Sequence, residues 1–203
     1  MEVLFSPIMT LSEVTFLQEI EIEFKNNLTK TEYTFLKRKW FLNEQPITQI
    51  NHYFETNDFQ LKEKGAALRI REKNNFFVAT LKEDKSNYLL ETHLPLSKKE
   101  YLAWIKGHIF IKDALQERLT ELNININELN YRGYLMTHRL QLVKDQMTIV
   151  LDRSVYNGLE DYEIELEADD EQVGKAYFQK LLLENNIEIK PTKNKIERFF
   201  ETL

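Results

Sequence analysis

The sequence predicts an α+β protein, mainly antiparallel β, whose eight strands close into a barrel forming a tunnel with helices packed on the outside. Three observations predict it. Segment after segment alternates charged or polar residues with Ile, Leu, Val, Phe and Tyr, most sharply in Gln18 to Lys25 and in Asp161 to Glu167. At period two, each run sets its Glu residues on one face of a strand and its apolar residues on the other. Most segments are joined by short turns, as antiparallel neighbours allow. The acidic strands lie at opposite ends of the chain, where barrel closure makes them neighbours and removes exposed sheet edges.

Taken in order, residues 1–17 follow no clear period and are read as an N-terminal extension to one domain spanning 18–203. Gln18 to Lys25 is the first strand. Thr29-Lys30-Thr31-Glu32 is a capping box, in which hydroxyl and carboxylate satisfy backbone N–H groups that the first helical turn leaves unpaired. It opens a helix to about Phe41, with Tyr33, Leu36 and Trp40 along one stripe. Beyond Pro46 come the strands Gln49 to Thr56, Ala67 to Lys73 and Phe76 to Glu83, the last two joined at Asn74-Asn75. Asn87 to Leu94 is the fifth strand, and Pro95 is expected to end it.

Ser97-Lys98-Lys99-Glu100 is a second capping box, opening a short helix through Trp104, and a further helix covers roughly Asp113 to Leu122. The Asn-rich stretch Asn123 to Asn130 reads as a loop. Tyr131 to Val143, Met147 to Asp152 and Glu160 to Glu167 form a meander turning at Lys144-Asp145-Gln146 and Asn157-Gly158. Asp169 or Asp170 caps a helix reaching about Glu184, and a short segment after Pro191 follows. The expectation is eight strands and about four helices.

Composition narrows the function classes. A chain of 203 residues with 42% hydrophobic content, thirteen Phe and nine Tyr can build a substantial core. It has no cysteine, which excludes disulfides and thiolate metal sites. No apolar run approaches the ~18 residues of a membrane span, and the cytoplasm is the expected location. The net charge of −6 arises from 33 acids and 27 bases, so there is no global positive field to attract nucleic acid. A polyanion ligand must therefore meet a local basic cluster.

Sorting the strands by parity gives such a cluster. The charged faces carry Glu19, Glu21, Glu23 and Lys25; Arg69, Arg71 and Lys73; Thr80 and Lys82; Glu91 and His93; Thr137, Arg139 and Gln141; Asp152; and Glu163, Glu165 and Glu167. Any one of these faces, taken alone, reads as the solvated side of a half-buried strand. Together they set a wall of carboxylates beside a wall of Arg and Lys, and a polyphosphate uses both. Hard divalent cations take carboxylate and phosphate oxygens, while the Arg fork bonds phosphate bidentately and Lys supplies a point charge. His52, His93, His108 and His138 are too scattered for a histidine-based metal site and are expected on the surface or in packing. The absence of a glycine-rich phosphate loop disfavours a P-loop enzyme.

The same residues resemble the CYTH family of triphosphate tunnel metalloenzymes, which includes class IV adenylate cyclases and thiamine triphosphatases. Its Glu-x-Glu-x-Lys signature is met by Glu21-Ile22-Glu23-Phe24-Lys25. The likeness continues in order through Tyr53-Phe54-Glu55-Thr56, Leu68-Arg69-Ile70-Arg71, Thr80-Leu81-Lys82, Glu91, Arg139, Leu151-Asp152, Glu163-Ile164-Glu165 and Lys195. Two departures stand out: Glu55 replaces the usual Asp, and Thr137 stands where some members place another base. The resemblance implies Mg²⁺ or Mn²⁺ held by Glu21, Glu23, Asp152, Glu163 and Glu165. It further implies phosphate binding by Lys25, Arg69, Arg71, Lys82, Arg139 and Lys195, with catalytic roles on Glu163, Glu165 and Lys82.

The implied activity is hydrolysis of a terminal phosphate of inorganic triphosphate, or of an organic triphosphate such as thiamine triphosphate. A class IV-like adenylate cyclase and a non-catalytic polyphosphate or nucleotide-binding module are the alternatives. The expected partner is a small-molecule triphosphate, without nucleic acid or membrane, for a monomer or homodimer.

Overall fold

A computed structural model of the chain describes residues 18–85 and 89–203, the side chains of residues 18–21 excepted. The described residues form the strands β1 (Gln18–Glu21), β2 (Glu23–Leu28), β3 (Ile47–Glu55), β4 (Ala66–Lys73), β5 (Phe76–Asp84), β6 (Leu89–Leu96), β7 (Asn130–Lys144), β8 (Met147–Tyr156) and β9 (Leu159–Glu167). The helices are α1 (Lys30–Trp40), α2 (Gln60–Glu63), α3 (Lys98–Ile105), α4 (Asp113–Glu121), α5 (Glu171–Glu184) and α6 (Lys195–Phe200). None is long and apolar enough to cross a membrane.

All the strands pair antiparallel in the order β1-β6-β5-β4-β3-β7-β8-β9-β2. Only Ile22 separates β1 from β2, so the two ends of this order belong to one strand. Its first half lies against β6, with Glu19 opposite Glu91, and its second half against β9, with Lys25 opposite Glu165. The sheet therefore closes on itself as an eight-stranded barrel. Four boundaries differ from expectation by two residues or more: β2 runs on to Leu28, β3 starts at Ile47, β6 continues through Pro95 to Leu96, and β8 runs on past Asp152 to Tyr156. Among the described residues β1 pairs with β6 only as far as Thr92, which leaves Pro95 one described neighbour and fits its missing N–H.

The apolar faces point outward and the helices cover them. Over β3 to β6, Phe54, Leu68, Ile70, Leu81 and Leu94 pack under Leu61 of α2, Trp104 of α3 and Leu115 and Leu119 of α4. Over β7 to β9, Leu140, Ile149, Leu151, Ile164 and Leu166 pack under Tyr33 and Leu36 of α1 and Phe178, Leu181 and Leu182 of α5. The two expected capping boxes form at Thr29 and Ser97, and Asp170 caps α5 by accepting from Val173 N at 2.8 Å.

Helix α6 behaves differently, because its fully buried Phe199 packs on Tyr53, Leu135 and Tyr156. Tyr53 and Leu135 have the inward parity, so α6 enters the barrel and closes one mouth. Gly133 makes room for it: at φ +123 it sits where β7 slips one residue against Tyr53 and Phe54, and a Cβ there would lie 3.0 Å from Phe199 Cζ.

The four-residue helix α2 has no periodic signal in the sequence and is organised by Glu55. This buried carboxylate, at the end of β3, accepts from the backbone N–H of Thr56 (2.8 Å), Leu61 (3.0 Å) and Lys62 (3.0 Å). Replacing it strands donors in a dry environment. Glu55→Ala is expected to lower unfolding stability by about 3 kcal/mol, read as a shifted urea midpoint at unchanged slope; a loss under about 0.5 kcal/mol, the usual size of a neutral surface change, would contradict this role.

Candidate active site in the tunnel

Closure of the barrel turns every inward-facing residue toward a cavity of about 460 Å³. The cross-strand register fixes which groups meet. On one wall, Glu23 lies opposite Glu167, Lys25 opposite Glu165, Asp152 opposite Glu163, and Arg139 opposite Asp152. On the other, Arg69 lies between Tyr53 and Thr80, Arg71 between Asn51 and Val78, and Lys82 opposite Glu91.

Glu23, Glu163 and Glu165 come together, each offering a carboxylate oxygen within 4.8 Å of the others. It is the only such group of three among the described residues, and it contains no histidine. An all-oxygen set of this kind fits a hard cation such as Mg²⁺ or Mn²⁺ rather than zinc. The side chain of Glu21 lies outside the described residues. Asp152, fully buried, sits beside the three carboxylates and is gripped by Arg139 at 2.9 and 2.7 Å and by Lys195 at 3.0 Å. Lys195, at the start of α6, also pairs with Glu163 at 3.2 Å and with Glu165, and Arg139 reaches Glu165 at 2.6 Å.

These contacts separate two neighbouring carboxyls. Burial, reinforced by Glu165 and opposed by Lys195 and Arg198, pushes Glu163 up to about 6. Burial would raise Glu165 as well, but Lys195 and Arg139 hold it well below the usual carboxylate range. The bases themselves divide into two kinds. Lys25 pairs with Glu23 at 3.0 Å, Lys82 with Glu91, and Arg139 and Lys195 with the acids above. Arg69 and Arg71 have neutral cross-strand neighbours, and the buried Nε of Arg69 has no hydrogen-bond partner. Arg71 is pushed down to about 9, first by the adjacent Arg69 and then by burial and Arg139.

All the described site residues expected from the sequence face this cavity or pair with a residue that does. Sequence reasoning missed Gln49 and Asn51, and with them Tyr53 as a tunnel residue, although alternation along β3 sets all three inward. It also missed Arg198, which bonds Glu163 and, at 3.0 Å, Asp161. Arg198 lies three residues beyond Lys195, hence on the same helix face. Of the histidines, His52 packs outside the barrel against Tyr101 and Tyr131, His138 bonds Thr48, and His93 faces inward beside Thr80 and Glu91.

Residues 19–200 match the CYTH domain family. A Bacillus subtilis (strain 168) protein named "Putative triphosphatase YjbK" is 46% identical over 185 residues, 91% of this chain and 96% of that protein. The crystal structure of a Bacillus halodurans protein, described as "a putative adenylate cyclase", superposes with a TM-score of 0.85 at 40% identity, covering 90% of this chain and 98% of the other. A Hippeastrum protein, "Putative adenylyl cyclase HpAC1", described as having a dominant triphosphatase activity, shares the fold with a TM-score of 0.74 at 20% identity, covering 90% and 95% of the two chains.

Proposed function

Because the chain belongs to the CYTH domain family, we propose that it is a Mg²⁺- or Mn²⁺-dependent triphosphatase acting on inorganic triphosphate or on an organic triphosphate such as thiamine triphosphate. The observation that carries this reading is the pair Arg69 and Arg71. Two guanidinium groups face the tunnel with neutral neighbours on both adjoining strands and repel each other. Like charges held together in a low dielectric favour a polyanion that neutralises both. The acids across the cavity argue against a site built for anion binding alone, since unassisted carboxylates would repel the same phosphates.

In this reading Arg69, Arg71 and Lys82 grip the phosphate chain, and Lys25, Arg139 and Lys195 face its acid-side end. Glu23, Glu163 and Glu165 would hold the cation, with Glu21, two residues before Glu23, proposed to join them. Asp152 keeps Arg139 and Lys195 in place. A bound divalent cation supplies charge neutralisation on phosphate oxygens and lowers the pKa of a coordinated water. Glu163 is the better proton acceptor of its pair, because Glu165 is locked between Lys195 and Arg139. Charge spread over the transferring phosphoryl group is then stabilised by arginines already in place.

The test is to incubate the protein with inorganic triphosphate, thiamine triphosphate or ATP and Mg²⁺ or Mn²⁺, assaying phosphate, pyrophosphate and cyclic AMP. Metal-dependent phosphate release, abolished by EDTA, is the expected result. Cyclic AMP with pyrophosphate would replace this reading with the cyclase, and tight triphosphate binding without turnover would leave a binding module.

A further inference from the structure

We propose that Asn51 is a positioning residue that aims Arg71 at the substrate while leaving the charge of its guanidinium un-neutralised. The inference rests on the triphosphatase reading and concerns how the same tunnel keeps one base available. Every inward-facing base on the other strands is met by a carboxylate: Lys25 by Glu23, Lys82 by Glu91, Arg139 by Asp152 and Glu165. Among the described residues the bases of β4 form no such pair, and the attraction of Glu91 for Arg71 is outweighed by the repulsion of Arg69 and Arg139. Arg69, Arg71 and Lys73 lie in register with Tyr53, Asn51 and Gln49 on one side and with Thr80, Val78 and Phe76 on the other.

Such a base is hard to hold still. Arg69 and Arg139 repel the Arg71 guanidinium, so a hydrogen bond is needed to fix its orientation. The Nε of Arg71 donates to Oδ1 of Asn51 at 3.3 Å, its one side-chain hydrogen bond among the described residues. Asn51 stands directly across the β3–β4 ladder and is 2% exposed, so its amide is fixed by the sheet. An amide oxygen accepts from the guanidinium without adding an opposing charge. A carboxylate of the same shape would hold it more firmly, in a charge-assisted pair. It would also neutralise Arg71 and set a negative charge beside the phosphate chain. Orientation and neutralisation are therefore separable at this position by an isosteric change.

The experiment compares the full chain with Asn51→Asp and Asn51→Ala, using inorganic triphosphate with Mg²⁺ as the probe. Calorimetric affinity, KM and kcat, and ligand-free thermal unfolding are measured. Asn51→Asp is expected to weaken affinity about tenfold or more and to raise KM more than it lowers kcat. It should raise the ligand-free Tm by about 3 °C, since it relieves repulsion among the arginines. Asn51→Ala is expected to weaken affinity less, by about threefold, and to lower Tm. Affinity of Asn51→Asp equal to wild type, or a greater loss in Asn51→Ala, would overturn the proposal. So would an Asn51→Asp protein that fails to fold or melts earlier, because a merely structural asparagine gives that result. Failure of the wild-type protein itself to bind triphosphate is a different result, and it overturns the triphosphatase reading and this inference with it.

Discussion

Glu163→Gln is expected to lower phosphate release from inorganic triphosphate by about a thousandfold, ~4 kcal/mol of transition-state stabilisation. Glutamine keeps the shape of the side chain but removes one charge from a group of three carboxylates whose oxygens lie within 4.8 Å. Hard-cation affinity depends on that charge count, so the metal concentration giving half-maximal activity should rise as well. In the proposed reading the substitution also removes the proton acceptor. Unfolding does not account for the loss, because each cation that touches Glu163 keeps another carboxylate: Lys195 retains Asp152 and Glu165, and Arg198 retains Asp161. Activity within tenfold of wild type at saturating Mn²⁺, with the protein folded, would remove Glu163 from the site.

Arg71→Ala is expected to lower kcat/KM by about 10²- to 10³-fold, the usual cost of removing one pre-set donor to a developing anion. Ordinarily, truncating a buried charged residue destabilises a protein. Here the ligand-free Tm should hold or rise, since repulsion of Arg71 by Arg69 and Arg139 outweighs its attraction to Glu91, and its one side-chain hydrogen bond among the described residues is to an amide. Arg71→Lys should recover only part of the loss, because an ammonium lacks the planar fork that bonds two phosphate oxygens at once. A variant with unchanged KM and unchanged salt dependence would show that the phosphate chain lies elsewhere.

How much of this could be read from the sequence depends on what kind of signal each part leaves. Alternation is local, so the inward parity of Glu163, Glu165, Arg69, Arg71 and Lys82 is written in the strands themselves. Closure is not local: it depends on one strand dividing its partners at Ile22 between β6 and β9. No period can express that. Pro95 was expected to end a strand because propensity carries no knowledge of whether a neighbour needs its missing N–H. Helices α2 and α6 are too short for a periodic stripe and exist through tertiary contacts, Glu55 for one and Phe199 for the other. The sorting by charge that exposed the site also hid part of it. Gln49, Asn51 and Tyr53 share their stretch of strand with no inward charge and therefore leave no signal in such a sort, although β3 sets Asn51 beside Arg71 and Tyr53 beside Arg69.

The outward placement of the apolar cores has a consequence for how such a molecule can change. Apart from the cluster around Phe199 and the Glu55 anchor, the apolar packing lies between sheet and helices and the charged groups lie inside the sheet, with a single layer of backbone between them. A residue on an inward position can be exchanged without opening a void under Trp104 or Phe178, and its neighbours across the lumen meet it through cavity space rather than close packing. Inward positions away from Phe199 and Glu55 are thus freer to drift in sequence, while the exterior shell holds the shape. Different reactions on the proposed triphosphate grip are what such a division of labour permits.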